Sequence, residues 1–68
     1  MKLVKLLDVK MDVKDRNELI AMSKDFIKYG YTFKFLKTYD YPMWAIEEYG
    51  EAELKKCWDI AYDDMCNL

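Results

Sequence analysis

The sequence lacks histidine and has one serine, two glycines and one proline among its 68 residues. Histidine is the usual general base near neutral pH and the commonest metal ligand. Two glycines are too few for a loop that cradles phosphates. The serine, Ser23, is predicted on the polar side of a helix, outside the sharp turn that exposes a nucleophilic serine. We therefore expect a protein that is not an enzyme and has no catalytic residues, cofactor or metal.

Long apolar runs are also absent. No stretch approaches the roughly 20 apolar residues of a membrane span, and charged residues interrupt the first ten residues, where a signal peptide needs an apolar core. Cys57 and Cys66 match no zinc-site spacing, and on one helix they lie about 13 Å apart, too far for a disulfide. We expect a cytoplasmic protein without a membrane segment, with Cys57 in the core and Cys66 a free thiol.

Apolar and aromatic residues are plentiful, at 53% and 16% of the chain. This composition is typical of a folded protein and too rich for disorder. A chain of this length buries only about 60% of its unfolded surface. No repeat or linker divides it, so we predict a single domain over residues 1–68.

The first half predicts a strand followed by a helix. Apolar and charged residues alternate from residue 7 to residue 14, which is typical of a strand with one buried face. Asp15 followed by Glu18 resembles a capping box, and Gly30 favours a helix end. The residues between them recur at helical spacing and predict a helix over about 16–29: Leu19, Met22, Phe26 and Ile27.

The middle of the chain predicts an aromatic-rich hairpin. Aromatic residues alternate with others over 31–39, which favours a strand with Phe33 and Phe35 on the core face and Lys34 on the other. Pro42 and its neighbours favour a turn, and residues 43–49 then form the returning strand. The alternative is a helix that starts at Pro42 with Asp40 or Tyr41 as its cap, because Ala45 and the following glutamates are good helix formers.

Gly50 interrupts this segment, and a second helix is predicted from about Glu51. One apolar stripe runs along it: Leu54, Cys57, Trp58, Ala61 and Met65. The predicted fold is α+β, in the order β-α-β-β-α, with a three-stranded sheet and two helices packed on one face. The other face of the sheet would stay open.

Charge is distributed unevenly along the chain. Residues 1–37 carry nine basic and five acidic groups, a net charge of +4, whereas residues 38–68 carry two basic and eight acidic groups, a net charge of −6. The acidic half can be an ordinary solvated surface or a patch that faces a partner. Its Asp59, Asp63 and Asp64 could attract a divalent cation weakly, although we predict no metal site.

The leading hypothesis is a small non-enzymatic interaction module, a regulator, adaptor or inhibitor. It would bind a partner protein through an acidic, tyrosine-rich hairpin and the open sheet face. Small acidic proteins of phages and other mobile elements often inhibit nucleic-acid enzymes, and size and charge alone suggest such a partner with a basic groove. The predicted partner-binding residues are Tyr39, Asp40, Tyr41, Met43, Glu47, Glu48, Tyr49, Asp59, Asp63 and Asp64.

Two alternatives remain. One is a homodimer that pairs through an exposed strand or sheet face. The other is a nucleic-acid-binding accessory protein that uses Lys34 and Lys37 on the sheet. The sequence argues against nucleic acid, because Phe33 and Phe35 share the predicted core face and the net charge is −2.

Overall fold

A computed structural model describes residues 10–67, which contain four α-helices and no strand. The helices are α1 (Val13–Lys28), α2 (Phe33–Leu36), α3 (Asp40–Tyr49) and α4 (Glu51–Cys66). The predicted α+β fold with a three-stranded sheet is therefore wrong, because this chain forms a small helical domain. Residues 7–9 of the predicted first strand lie outside the described residues, and residues 10–12 form no strand. Its last apolar residue, Val13, instead begins α1 and is 61% exposed.

Helices α1 and α4 form the main packing interface and run in broadly the same direction. Near their starts, Cys57 Sγ lies 3.7 Å from Met11 Sδ. Near their ends, Lys24 Nζ lies 3.4 Å from Asp64. Both predicted helices are confirmed, although α1 begins three residues early. Asp15 consequently lies in the first turn of α1, where a carboxylate suits the helix dipole, and the predicted capping box is wrong.

These two helices supply most of the core, and Leu36 of α2 and Ala45 of α3 complete it. The predicted stripe on α4 is confirmed, because Leu54, Cys57 and Ala61 are fully buried and Trp58 is 7% exposed. On α1, Leu19 is 1% exposed and Ser23 is fully buried. The prediction that Ser23 lies on the polar side is wrong. Its hydroxyl donates to the Leu19 carbonyl at 2.8 Å, so the buried oxygen has a partner within its own helix.

Gly30 ends α1, as predicted. Its φ of 84° is a conformation that other residues rarely adopt. The N–H of Gly30 donates to the Ile27 carbonyl, and the N–H of Tyr31 donates to the Phe26 carbonyl at 2.8 Å. These two bonds form a Schellman motif, and the Phe26 and Tyr31 rings supply its apolar contact, with centroids 5.6 Å apart.

The predicted strand over 31–39 is a short helix instead. The Thr32 hydroxyl accepts the N–H of Phe35 at 3.2 Å and caps α2. In helical geometry residues three apart share a side, so Phe33 and Leu36 both face the protein. Leu36 is 1% exposed. Phe35, which the strand pattern placed in the core, is 39% exposed.

Residues 40–49 form a helix, so the predicted returning strand is wrong. The helical alternative is correct in the type of element, but its predicted start at Pro42 and its predicted cap are wrong. Helix α3 begins at Asp40, with Tyr39 as its cap residue. Pro42 lies in the first turn, where its missing N–H removes no hydrogen bond. Pro42 and Ala45 are its buried residues. Only Gly50, with a φ of 98°, separates α3 from α4.

Across residues 10–67, none of the helices has the length and apolar character that crossing a bilayer requires.

Candidate functional site

Two tyrosines of α3 reach carboxylates of α1. The Tyr49 hydroxyl donates to Asp15 Oδ2 at 2.8 Å, and the Tyr41 hydroxyl donates to Glu18 Oε1. The Trp44 ring contacts both tyrosines, with its centroid 5.8 Å from that of Tyr41 and 6.0 Å from that of Tyr49. These contacts join α3 to the first half of α1 in a single surface.

The glutamates of α3 extend this surface. Glu47 and Glu48 are exposed, and they follow Trp44 by three and four residues, which places them next to it on the helix. A strand would have turned them to opposite faces. We call the set of seven residues the acidic aromatic face: Asp15, Glu18, Tyr41, Trp44, Glu47, Glu48 and Tyr49.

The hydrogen bonds keep both tyrosines protonated. The bond to Glu18, together with burial and the Glu18 charge, raises the pKa of Tyr41 to about 12. The bond to Asp15 raises the pKa of Tyr49 above its usual value. Near neutral pH each tyrosine is therefore a hydrogen-bond donor that fixes a carboxylate, and neither acts as a base.

Within the part of the chain that the structure describes, the carboxylates of this face have no cationic partner. Within residues 10–67, no lysine or arginine lies within ion-pair distance of its four acidic residues. On α4 the situation is different. Asp59 lies 2.7 Å from Lys55 Nζ, and Asp64 lies 3.4 Å from Lys24 Nζ. The acidic aromatic face therefore presents negative charge that nothing in the described part of the chain neutralises.

The predicted partner-binding residues consequently separate into groups. Tyr41, Glu47, Glu48 and Tyr49 lie in the acidic aromatic face. Tyr39, Asp40 and Met43 are exposed at its margin: Tyr39 is the cap residue of α3, and the other two are on its outer side.

The three predicted residues of α4 lie elsewhere. Asp59 and Asp64 are held in the ion pairs described above. Asp63 Oδ2 is shielded from solvent and has no hydrogen-bond partner in the described residues. Residues 10–67 also contain no group of three or more His, Cys, Asp or Glu side chains that could hold a metal ion.

Sequence reasoning missed the contribution of α1 and a second surface. Asp15 and Glu18 belong to the basic half of the chain, where the sequence pattern predicts only a helix-capping role for them. The second surface, which we call the aromatic cluster, consists of four rings with neighbouring centroids 4.7 to 6.0 Å apart: Phe26, Tyr31, Phe35 and Tyr39. The last three are 49%, 39% and 43% exposed. Only Tyr39 was among the predicted residues.

The cysteines have the predicted environments. Cys57 is fully buried and Cys66 is exposed, and both are free thiols. Burial raises the pKa of the Cys57 thiol to about 11, so this thiol is not a nucleophile near neutral pH.

Comparisons with protein-family models, with curated proteins and with solved structures found no match to this chain.

Proposed function

We propose that this protein is a small non-enzymatic interaction module whose acidic aromatic face binds a basic surface on a partner protein. The observation that carries the proposal is the pairing of Asp15 and Glu18 with tyrosine hydroxyls rather than with cations. The carboxylates are fixed in position while their charge remains available. The open sheet face of the sequence hypothesis is replaced by a surface that α1 and α3 build together.

The chemistry of this face favours a partner rich in lysine and arginine. A tyrosine hydroxyl occupies one lone pair of its carboxylate, and the remaining lone pairs can accept a charge-assisted hydrogen bond from a guanidinium or ammonium group. Aromatic side chains such as Tyr41 and Trp44 are typical anchors of protein interfaces. The surrounding carboxylates increase the association rate with a positively charged surface.

A groove that holds nucleic-acid phosphates is such a surface. The specific form of the proposal is an inhibitor or regulator that occupies the basic groove of a nucleic-acid enzyme. The non-enzymatic character is supported by the lack of histidine in the sequence and by the raised pKa of Tyr41. Free cysteines favour a reducing compartment, which supports a cytoplasmic location.

The test compares two charge-reversal variants in affinity capture from nuclease-treated lysate, with washes of low and high salt. Glu47→Lys with Glu48→Lys changes the acidic aromatic face. Glu51→Lys with Asp59→Lys is the matched control, because it changes the net charge equally on α4. Its two side chains are 55% and 47% exposed, so the loss of their surface ion pairs costs little stability.

We expect the wild type and the control to retain the same protein, and the face variant to lose it. Added salt and added duplex DNA should both release the partner, because each competes for its basic groove. Equal retention by the face variant would refute the proposal. Equal loss by both variants would show that net charge, rather than this face, determines binding. Circular dichroism of each variant checks that the helices are intact.

A further inference from the structure

We propose that Tyr41 and Glu18 form an arginine-binding site within the acidic aromatic face. This inference rests on the proposed function, because it names the side chain of the partner that the face would bind. The proposed function requires only a basic surface, which lysine and arginine both supply. The contacts of Tyr41 distinguish between the two, because they join an exposed aromatic ring to a carboxylate.

The hydrogen bond from Tyr41 places a carboxylate at the edge of an aromatic ring. A phenol hydroxyl lies in the plane of its own ring, so the Glu18 oxygen that accepts from it lies beside the ring edge. Tyr41 is 40% exposed. Trp44 packs against its ring at an interplanar angle of 75° and therefore covers at most one of the two ring faces. A cation that reaches this ring from solvent meets the ring and the carboxylate together.

The charge around the Tyr41 hydroxyl is negative. The hydrogen bond to Glu18, burial, and the charges of Glu18 and Asp15 raise the pKa of Tyr41 to about 12. Asp15 is therefore close enough to act electrostatically on the same hydroxyl. Neither carboxylate has an ion pair among residues 10–67. Both remain available to a cation that binds beside Tyr41.

A guanidinium suits this arrangement better than an ammonium does. It is planar and weakly hydrated, so it can stack on an aromatic face while its N–H groups point outward towards acceptors at the ring edge. Asp15 and Glu18 are three residues apart and share one side of α1, and a guanidinium has enough donors to bind both. An ammonium is a compact, strongly hydrated charge that gains less from the ring.

The experiment measures the binding of two synthetic peptides to the full chain by isothermal titration calorimetry at low salt. The peptides have equal length and charge, and carry either arginine or lysine at every cationic position. We expect the wild type to bind the arginine peptide at least about fivefold more tightly, as one stacked guanidinium would provide. Equal affinity for the two peptides, or binding of neither, would refute the arginine site.

Two variants and a control assign the preference to residues. Tyr41→Leu removes the ring and should bring the two affinities close to each other. Glu18→Gln keeps the ring and should weaken binding of the arginine peptide more than that of the lysine peptide. Tyr62→Leu is the matched control, because Tyr62 lies on α4 and is 53% exposed, and it should keep the wild-type preference. An unchanged preference in Tyr41→Leu would contradict the proposal.

The ratio of the two affinities separates a binding site from a structural effect, because loss of helical structure would weaken both peptides alike. Circular dichroism checks the helices of each variant. The result is also independent of the capture experiment. Partner capture that depends on Glu47 and Glu48, without an arginine preference, would refute this inference and support the proposed function. An arginine preference with capture that is insensitive to Glu47 and Glu48 would refute the proposed function alone.

Discussion

The acidic side chains of α3 and α4 differ in what they contact. On α4, four carboxylates pair with lysines of the same chain, at 2.7 to 3.4 Å: Glu51, Glu53, Asp59 and Asp64. On α3, the exposed Glu47 and Glu48 have no such partner in the described residues. The carboxylates of α1 beside them bind tyrosine hydroxyls instead. The acidic residues of α4 thus form ion pairs within the chain, whereas those of α3 stay exposed and have no ion pair among the described residues.

This difference shows why the charge of a chain segment is a poor guide to the charge of a surface. The acidic half of the sequence contributes α4, where most acidic charge is locally compensated. The basic half contributes Asp15 and Glu18, which join α3 to make the acidic aromatic face. The fold therefore brings acidic residues from both halves of the sequence together in one surface.

The largest expected effect is the loss of stability at a buried position of α4, compared with that at an exposed position of α3. Leu54→Ala should lower the free energy of unfolding by about 2–5 kcal/mol, because it leaves a cavity at a fully buried position. Met43→Ala, at a position that is 43% exposed, should cost less than about 0.5 kcal/mol. Urea denaturation measures both. Similar costs at the two positions would contradict the comparison.

The junction between the two helices gives the next largest effect. Gly50 has φ 98° and ψ 151°, a region essentially restricted to glycine, so Gly50→Ala should destabilise the protein by about 1–3 kcal/mol. A Cβ at this position would meet no atom within 4 Å, so the cost arises from the backbone. Chemical synthesis with D-alanine provides the control, because a D-residue accepts positive φ and should retain wild-type stability. Thermal denaturation of the chains with L-alanine and with D-alanine at position 50 shows whether the backbone conformation or side-chain packing causes the loss of stability.

The tyrosine contacts of α3 should stabilise the protein more than a tyrosine of α4. Tyr49→Phe removes the hydroxyl that Asp15 accepts and should cost about 0.5–1.5 kcal/mol. Tyr62→Phe is the matched control on α4, because Tyr62 is 53% exposed and its hydroxyl has no partner among the described residues. We expect no measurable change there. If the two variants unfold at the same denaturant concentration, the contact with Asp15 contributes nothing.

The smallest effect is a shift in a titration. Glu18 raises the pKa of Tyr41 to about 12, against an ordinary value of 10.0. Because the folded-state pKa is the higher one, the stabilisation is complete below pH 10 and is lost as the pH rises towards 12. Glu18→Ala should lower the pKa of Tyr41 towards 10.0, whereas Glu51→Ala should leave it unchanged. The NMR shifts of the Tyr41 ring against pH measure this.

The sequence predicted the elements whose burial follows a long helical period. In α4, Leu54, Cys57 and Ala61 mark one stripe over two turns, and Gly30 marks the end of α1. Such stripes are reliable because a helix of 16 residues repeats the pattern several times.

The region between them could not be predicted in the same way. Phe33 and Phe35 are two residues apart, which a strand and a surface helix both allow, and only tertiary packing places Leu36 in the core. Only part of the candidate site could be predicted, because the rest depends on tertiary contacts. Tyr41, Glu47 and Glu48 stand out by composition, but the contacts to Asp15 and Glu18 connect residues 23 and 34 positions apart along the chain.

The single residue between α3 and α4 bears on how the acidic aromatic face would meet the proposed partner. With no loop to flex, α3 is fixed to α4 by Gly50 and to α1 by the two tyrosine hydroxyls. The face is therefore pre-organised, and association should cost little conformational entropy. Its backbone should move by less than about 1 Å on binding. Affinity differences among its variants should then appear in the dissociation rate for the rings and in the association rate for the carboxylates.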